Sequence, residues 1–175
     1  MMPGAGASVH ASAVLVGHRA VLIRGPSGAG KSNLAFDLML AGRSGQIPRA
    51  VLVGDDRVFL NVHEGQLVVR PAPELAGLIE IRGLGIRRCE FAAEAVVGLV
   101  IDLRAEDAER LPPPEALLTT LNGVVVPRIP VGSSTPSLSL VVAALTTTEG
   151  VIYPHSSADC LKGIGNHITR TIATE

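Results

Sequence analysis

The sequence predicts an α/β domain, a sheet of apolar strands flanked by helices and built around a phosphate-binding loop. Three observations lead there. Gly25-Pro26-Ser27-Gly28-Ala29-Gly30-Lys31-Ser32 completes the pattern of Gly, four free positions, then Gly-Lys-Ser. It stands between an apolar β-branched run, Ala20–Ile23, and a helix-forming stretch, Asn33–Ala41, the strand, loop, helix order that such a loop requires. Hydrophobic residues make up 47% of the chain and aromatics only 2%, which suits Val, Ile and Leu strands covered by Ala and Leu helices.

The elements follow in chain order. Ala13–Val16 reads as a short strand, and Gly17-His18-Arg19 turns the chain into the strand Ala20–Ile23. After the loop, the helix Asn33–Ala41 is expected to close at Gly42. Arg43–Arg49, with Gly45 and Pro48, is a polar connection to a second buried strand, Ala50–Val53, which ends in Gly54-Asp55-Asp56-Arg57. Arg57–His63 and Gln66–Arg70 alternate around Glu64-Gly65 and read as a hairpin. Pro71 and Pro73 break the sheet ahead of a short helical turn over Glu74–Leu78. In the strand Leu78–Ile86, Glu80 and Arg82 share a face, and Gly83 and Gly85 permit close approach of backbone to a ligand. Ala95–Leu103 is a strongly apolar strand with Asp102 placed to cap a charged, helix-compatible stretch, Arg104–Arg110, which Pro112-Pro113-Pro114 stops. Val124–Val126 is an edge strand, given Pro127 and Pro130, and Ser137–Leu145 is a last helix. One domain is expected over residues 9–145, with a flexible start at 1–8 and a poorly packed tail at 146–175.

Composition excludes several classes. A net charge of −1 gives no support for a nucleic-acid partner held by bulk electrostatics, and the scarcity of aromatics argues against a base-stacking platform. Cys89 and Cys160 are too few for a disulfide framework and lack metal-ligand spacing, so they read as reduced thiols. Met1–Ser8 has neither a basic flank nor an apolar core, and no stretch is long enough to span a membrane. A cytoplasmic protein is expected.

The loop residues point to polyphosphate chemistry. Glycines let successive N–H groups converge on an anion with no side chain in the way, and the helix start adds its positive dipole end. Lys31 then reaches the β and γ phosphates while the Ser32 hydroxyl ligates magnesium. The chain has only two lysines, Lys31 and Lys162, so a chance match is improbable. Asp55 and Asp56, at the end of an apolar strand, stand where such folds place magnesium ligands and catalytic bases. On the residues alone, His10 reads as a surface histidine and Arg110 as part of a solvated charged face, while Glu80 reads equally as part of a solvated edge.

Four stretches in order carry a resemblance: Val9-His10-Ala11, Gly25–Ser32, Asp55-Asp56-Arg57-Val58 and Ile79-Glu80-Ile81-Arg82-Gly83-Leu84-Gly85-Ile86. Together they resemble the catalytic domain of the HPr kinase/phosphorylase family, whose members phosphorylate a serine on a small phosphocarrier protein of the phosphotransferase system. The resemblance spans about residues 9 to 145 and implies that family's fold, similar to the phosphoenolpyruvate carboxykinase core. It implies His10 as the active-site histidine, Asp56 as proton acceptor for the target serine with Asp55 beside it, and Glu80 as a second magnesium-linked carboxylate. Arg110, in Glu109-Arg110-Leu111-Pro112, matches the family's active-site arginine, and Arg82, Gly83 and Gly85 fall in its signature. ATP and Mg2+ are the implied cofactors, an HPr-like protein the partner, and a hexamer the assembly, with neither nucleic acid nor membrane involved. The family's reverse reaction uses inorganic phosphate and releases pyrophosphate. Two departures stand out. The family's usual N-terminal domain is expected to be absent, as in its short members. Val131-Gly132-Ser133-Ser134-Thr135-Pro136 stands where longer members carry an arginine- and glycine-rich loop linked to dephosphorylation. The rival expectations are a small-molecule kinase using the same loop and carboxylates, and a non-catalytic ATP-sensing module.

Overall fold

The computed structural model describes residues 7–148 and residue 150. Residues 1–6 of the expected flexible start, and most of the expected tail, lie outside the described residues. The chain order is β1 (Ala7–Val9), β2 (Ser12–Val16), β3 (Arg19–Arg24), α1 (Lys31–Arg43), β4 (Ala50–Gly54), β5 (Val58–His63) and β6 (Gln66–Pro71). A 3-10 turn at Pro73–Leu75 leads to β7 (Leu78–Ile81), β8 (Gly85–Arg88) and β9 (Ala95–Leu103). A second 3-10 turn, Pro114–Leu117, precedes β10 (Leu118–Leu121), β11 (Val124–Val131) and α2 (Ser137–Thr146).

Nine strands form one sheet whose main path runs β1-β5-β6-β9-β3-β2-β4. β9 lies parallel to both β3 and β11, while the other pairings in the sheet are antiparallel. Alternation along the strands produces two apolar layers. Both helices pack on one face, where Leu34, Leu38 and Val141 meet Val21, Ile23, Leu52 and Ile101. On the other face, Leu22, Val53 and Val100 are covered by β5 and β6 through Leu60, Leu67 and Val69. The α/β class is therefore as expected, with helices on one side and folded-over strands on the other.

Several local expectations are corrected. Gly42 does not close α1, which continues through Arg43 and hands over to Ser44 and then Gly45 at φ 75°. Gly42 answers a packing demand instead: a Cβ there would lie 2.6 Å from the Ala50 backbone nitrogen. Leu78–Ile86 is not a single strand, because Gly83 and Gly85, at φ 85° and 91°, turn it into the β7–β8 hairpin. Arg104–Arg110 forms turns and no helix. Asp102 caps nothing; its carboxylate takes a bidentate pair of hydrogen bonds from Arg24, both 2.7 Å, and a third from Arg128 at 2.5 Å. β11 runs unbroken through Pro127 and Pro130, and its Arg128–Val131 half pairs only with β9 among the described residues, as expected of an outer strand.

Candidate functional site

The parallel pairing of β3 with β9 brings two C-terminal strand ends side by side, with Arg24 opposite Asp102. In an α/β sheet that edge is where ligands are held. The loop leaving β3 turns through Gly25, Gly28 and Gly30 at φ 149°, 73° and 97°, conformations that favour glycine. Gly25 also has no room for a Cβ, which would stand 2.9 Å from the Leu103 carbonyl oxygen. The loop delivers the chain into α1, whose first residue, Lys31, is buried. Its ammonium donates to the Gly25 and Pro26 carbonyls at 3.0 and 3.1 Å, which points it into the curve of the loop.

The two adjacent aspartates after β4 take opposite directions. Asp55 is 3% exposed and its carboxylate is saturated by three donors. Oδ1 accepts from the hydroxyls of Ser12 at 2.5 Å and Ser32 at 2.9 Å, and Oδ2 accepts from the Glu80 backbone N–H at 3.1 Å. A carboxylate removed from water needs such partners. Asp56, at φ 65°, turns outward, and its Oδ1 lies 2.9 Å from His10 Nε2 with both side chains more than half exposed.

These groups surround one cavity of about 290 Å³. Its lining joins Ser27, Gly28, Gly30, Lys31, Ser32 and Asn33 from the loop and the start of α1 to His10, Asp56, Glu80 and Arg82 from other parts of the chain. Of the sequence candidates, the cavity brings together His10, Lys31, Ser32, Asp56, Glu80 and Arg82. Asp55 stands behind it as the acceptor that orients Ser32. Arg110 is exposed beyond β9 and does not line the cavity, and Gly83 and Gly85 shape the turn of the β7–β8 hairpin.

Two residues escaped the sequence reading. Ser12 anchors Asp55, a role that only the pairing of β2 with β4 reveals. Arg104 donates to the Gly28 carbonyl at 2.9 Å. Its signal was topological: it follows the end of a strand parallel to the loop strand. Next to it, burial pushes the Asp102 carboxyl upward, but the hydrogen bonds and charges of Arg24 and Arg128 outweigh burial and hold it below the usual carboxylate range. Arg128 also grips Asp107 at 2.6 and 2.9 Å, and this bond holds the Asp107 carboxyl low as well.

Magnesium, which the resemblance implies, fits the donor set. It is a hard cation that takes one or two protein oxygens alongside phosphate oxygens, and Ser32 and Glu80 offer a hydroxyl and a carboxylate on the cavity wall. Among the described residues no three or more His, Cys, Asp or Glu side chains are grouped so as to hold a metal ion together, and such an ion does not need them.

Strand, glycine loop, helix and facing carboxylates define the class: an α/β domain of the glycine-loop type, its pocket at the C-terminal ends of parallel strands. The chain belongs to the HPr Serine kinase C-terminal domain family, whose model it matches over residues 4–147. It is 40% identical over 111 residues to an HPr kinase/phosphorylase of Geobacillus thermodenitrificans, a match covering 59% of this chain and 34% of that one. With an HPr kinase/phosphorylase of Mycoplasma mycoides subsp. mycoides it shares 39% identity over 80 residues, 46% of this chain and 23% of the relative. It thus spans about a third or less of these curated relatives. The solved structure of the Hpr(Ser) kinase/phosphatase from Coxiella burnetii superposes with a TM-score of 0.63 at 27% identity, covering 79% of this chain and 93% of that one. No described helix is long and apolar enough to cross a membrane.

Proposed function

We propose that this protein is an ATP- and magnesium-dependent serine kinase acting on an HPr-like phosphocarrier. The observation that carries the reading is that Asp56, paired with His10, lines the same cavity as Lys31 and Ser32. Exposure of His10, Asp56, Glu80 and Arg82 at the rim suits an acceptor presented on the surface of another protein.

In this mechanism the loop amides and Lys31 hold the polyphosphate, and α1 directs its N-terminal dipole toward it. Ser32, its proton directed to Asp55, turns a lone pair toward the cavity, and Glu80 supplies a second oxygen beside it. These two oxygens would hold magnesium, whose charge would offset that of the β and γ phosphates. The acceptor serine oxygen attacks the γ phosphorus as the bond to the β–γ bridging oxygen breaks and ADP departs. The hydroxyl proton passes to Asp56, which His10 orients from 2.9 Å away. In reverse, protonated Asp56 would return that proton to the serine while inorganic phosphate takes the phosphoryl group and leaves as pyrophosphate. Gly132–Thr135, which stands where longer members carry an arginine- and glycine-rich loop linked to dephosphorylation, holds no arginine or lysine, which favours the forward direction. Resemblance further supports a cytoplasmic homo-oligomer, a hexamer, which sedimentation measures directly.

The test is transfer of labelled γ phosphate from ATP to a purified HPr-like protein, comparing native chain with Asp56→Asn. Serine labelling by the native chain, lost in the variant, supports kinase and base together. ATP binding without transfer turns the reading toward a small-molecule acceptor or a non-catalytic sensor.

A further inference from the structure

Beyond the residues that the motif and the family pattern supply, the loop is held by a side chain from outside both. We infer that Arg104 is a positioning residue that clamps the tip of the glycine loop in its polyphosphate-binding shape. The inference rests on the reading of that loop as a polyphosphate site.

The tip is the peptide unit joining Gly28 to Ala29. Its N–H donates to the Pro26 carbonyl at 3.1 Å, and its carbonyl accepts from the Arg104 guanidinium at 2.9 Å. Both polar ends of one peptide are therefore committed, which fixes the plane in which the neighbouring amides present themselves. Packing does not do this work: a Cβ on Gly28 would meet nothing within 4 Å. A glycine at φ 73° with open space around it has wide backbone freedom, so the two hydrogen bonds carry the restraint. An anion site made of amides gains from being set in advance, because the ligand then spends less of its binding free energy on ordering the loop.

Arg104 is itself specially placed. Its φ of 57° lies in the left-handed region, which an arginine rarely adopts. The turn sends the main chain away, since the Ala105 N–H reaches the Val131 carbonyl at 3.0 Å, while the side chain reaches back over the loop. Unusual backbone held at the edge of a pocket is a pointer to function. Arg104 also forms no ion pair among the described residues, unlike Arg24 and Arg128 nearby, so no carboxylate competes for its guanidinium.

The experiment measures binding of ATP, ADP and inorganic pyrophosphate by calorimetry to the native chain and to Arg104→Gly, Arg104→Ala and Arg104→Gln. Loss of one charge-assisted hydrogen bond is expected to weaken all three ligands about ten-fold in the Gly and Ala variants. Because the tip holds phosphates and not the base, adenosine binding stays unchanged. Agreement between Gly, which relaxes the turn, and Ala, which keeps it strained, assigns the loss to the missing side chain. Glutamine still donates to Gly28 without a charge and is expected to recover binding to within roughly three-fold. Native affinity in both truncations overturns the clamp while leaving the functional reading intact. Glutamine as weak as glycine also overturns it, by assigning the effect to charge alone. A native chain that binds none of the three ligands refutes the functional reading, and the clamp with it.

Discussion

Ser12→Ala tests the buried polar core of the site. Ser12 is fully buried, and its hydroxyl is one of three donors on the Asp55 carboxylate. The substitution removes a single oxygen, so it leaves little void but strips a buried charge of its 2.5 Å partner. Hydrogen bonds to charged groups contribute about 1.5–3 kcal/mol, and we take ~2 kcal/mol for this one. At about 2–4 °C per kcal/mol for a domain near this size, the melting temperature falls by about 4–8 °C. Urea denaturation followed by circular dichroism measures the free-energy change, and scanning calorimetry the midpoint. The same substitution in an Asp55→Asn background is expected to cost only about 1 kcal/mol, because a neutral acceptor makes the weaker bond. An equal loss in both backgrounds would place the cost in packing and refute the account of Ser12 as an anchor for Asp55.

Other perturbations reach different parts of the molecule. Gly42→Ala drives a Cβ against the Ala50 backbone nitrogen and is expected to destabilise by about 1–3 kcal/mol in urea denaturation. Asp102 has its folded pKa depressed below the unfolded value of 3.8, so its stabilisation is present above that value and is lost as pH falls through the folded pKa. Asp102→Asn should therefore flatten the acid limb of a stability-against-pH curve below about pH 4 while lowering stability at neutral pH. Lys31→Ala is expected to weaken pyrophosphate and ATP binding at least ten-fold by calorimetry, whereas Asp56→Asn keeps that binding and lowers phosphoryl transfer by about 10²–10⁴.

Legibility tracked how local each determinant is. The strand, glycine loop and helix around Lys31 were read directly, because the phosphate-loop pattern is a contiguous requirement on backbone shape. Apolar runs such as Ala95–Val100 announced buried strands for the same reason. Gly42 misled, since a glycine near a helix end signals a cap as readily as a close contact, and only the approach of Ala50 decides between them. Local pattern finds the aspartate pair but only the resemblance tells its members apart, because burial of Asp55 depends on Ser12, Ser32 and Glu80, which lie 43, 23 and 25 residues away. Arg104 carries no local signal, whereas the parallel alignment of β9 with β3 makes the residue just after Leu103 the one that meets the loop.

β9 has one more consequence, for how the molecule opens. It hydrogen-bonds to β3, β6 and β11, and it feeds Ile101 and Leu103 into one apolar layer and Val97 and Val100 into the other. Neither layer can be peeled off as an independent unit while this strand stays in register, so the domain is expected to melt as a single cooperative block. Amide protons at Val100 and Ile101 then exchange with solvent only through complete unfolding, setting the slowest rate in the chain. The glycine loop, abutting the last residues of that strand, borrows its persistence: a pocket seated on the most durable backbone keeps its shape through the smaller fluctuations of its rim.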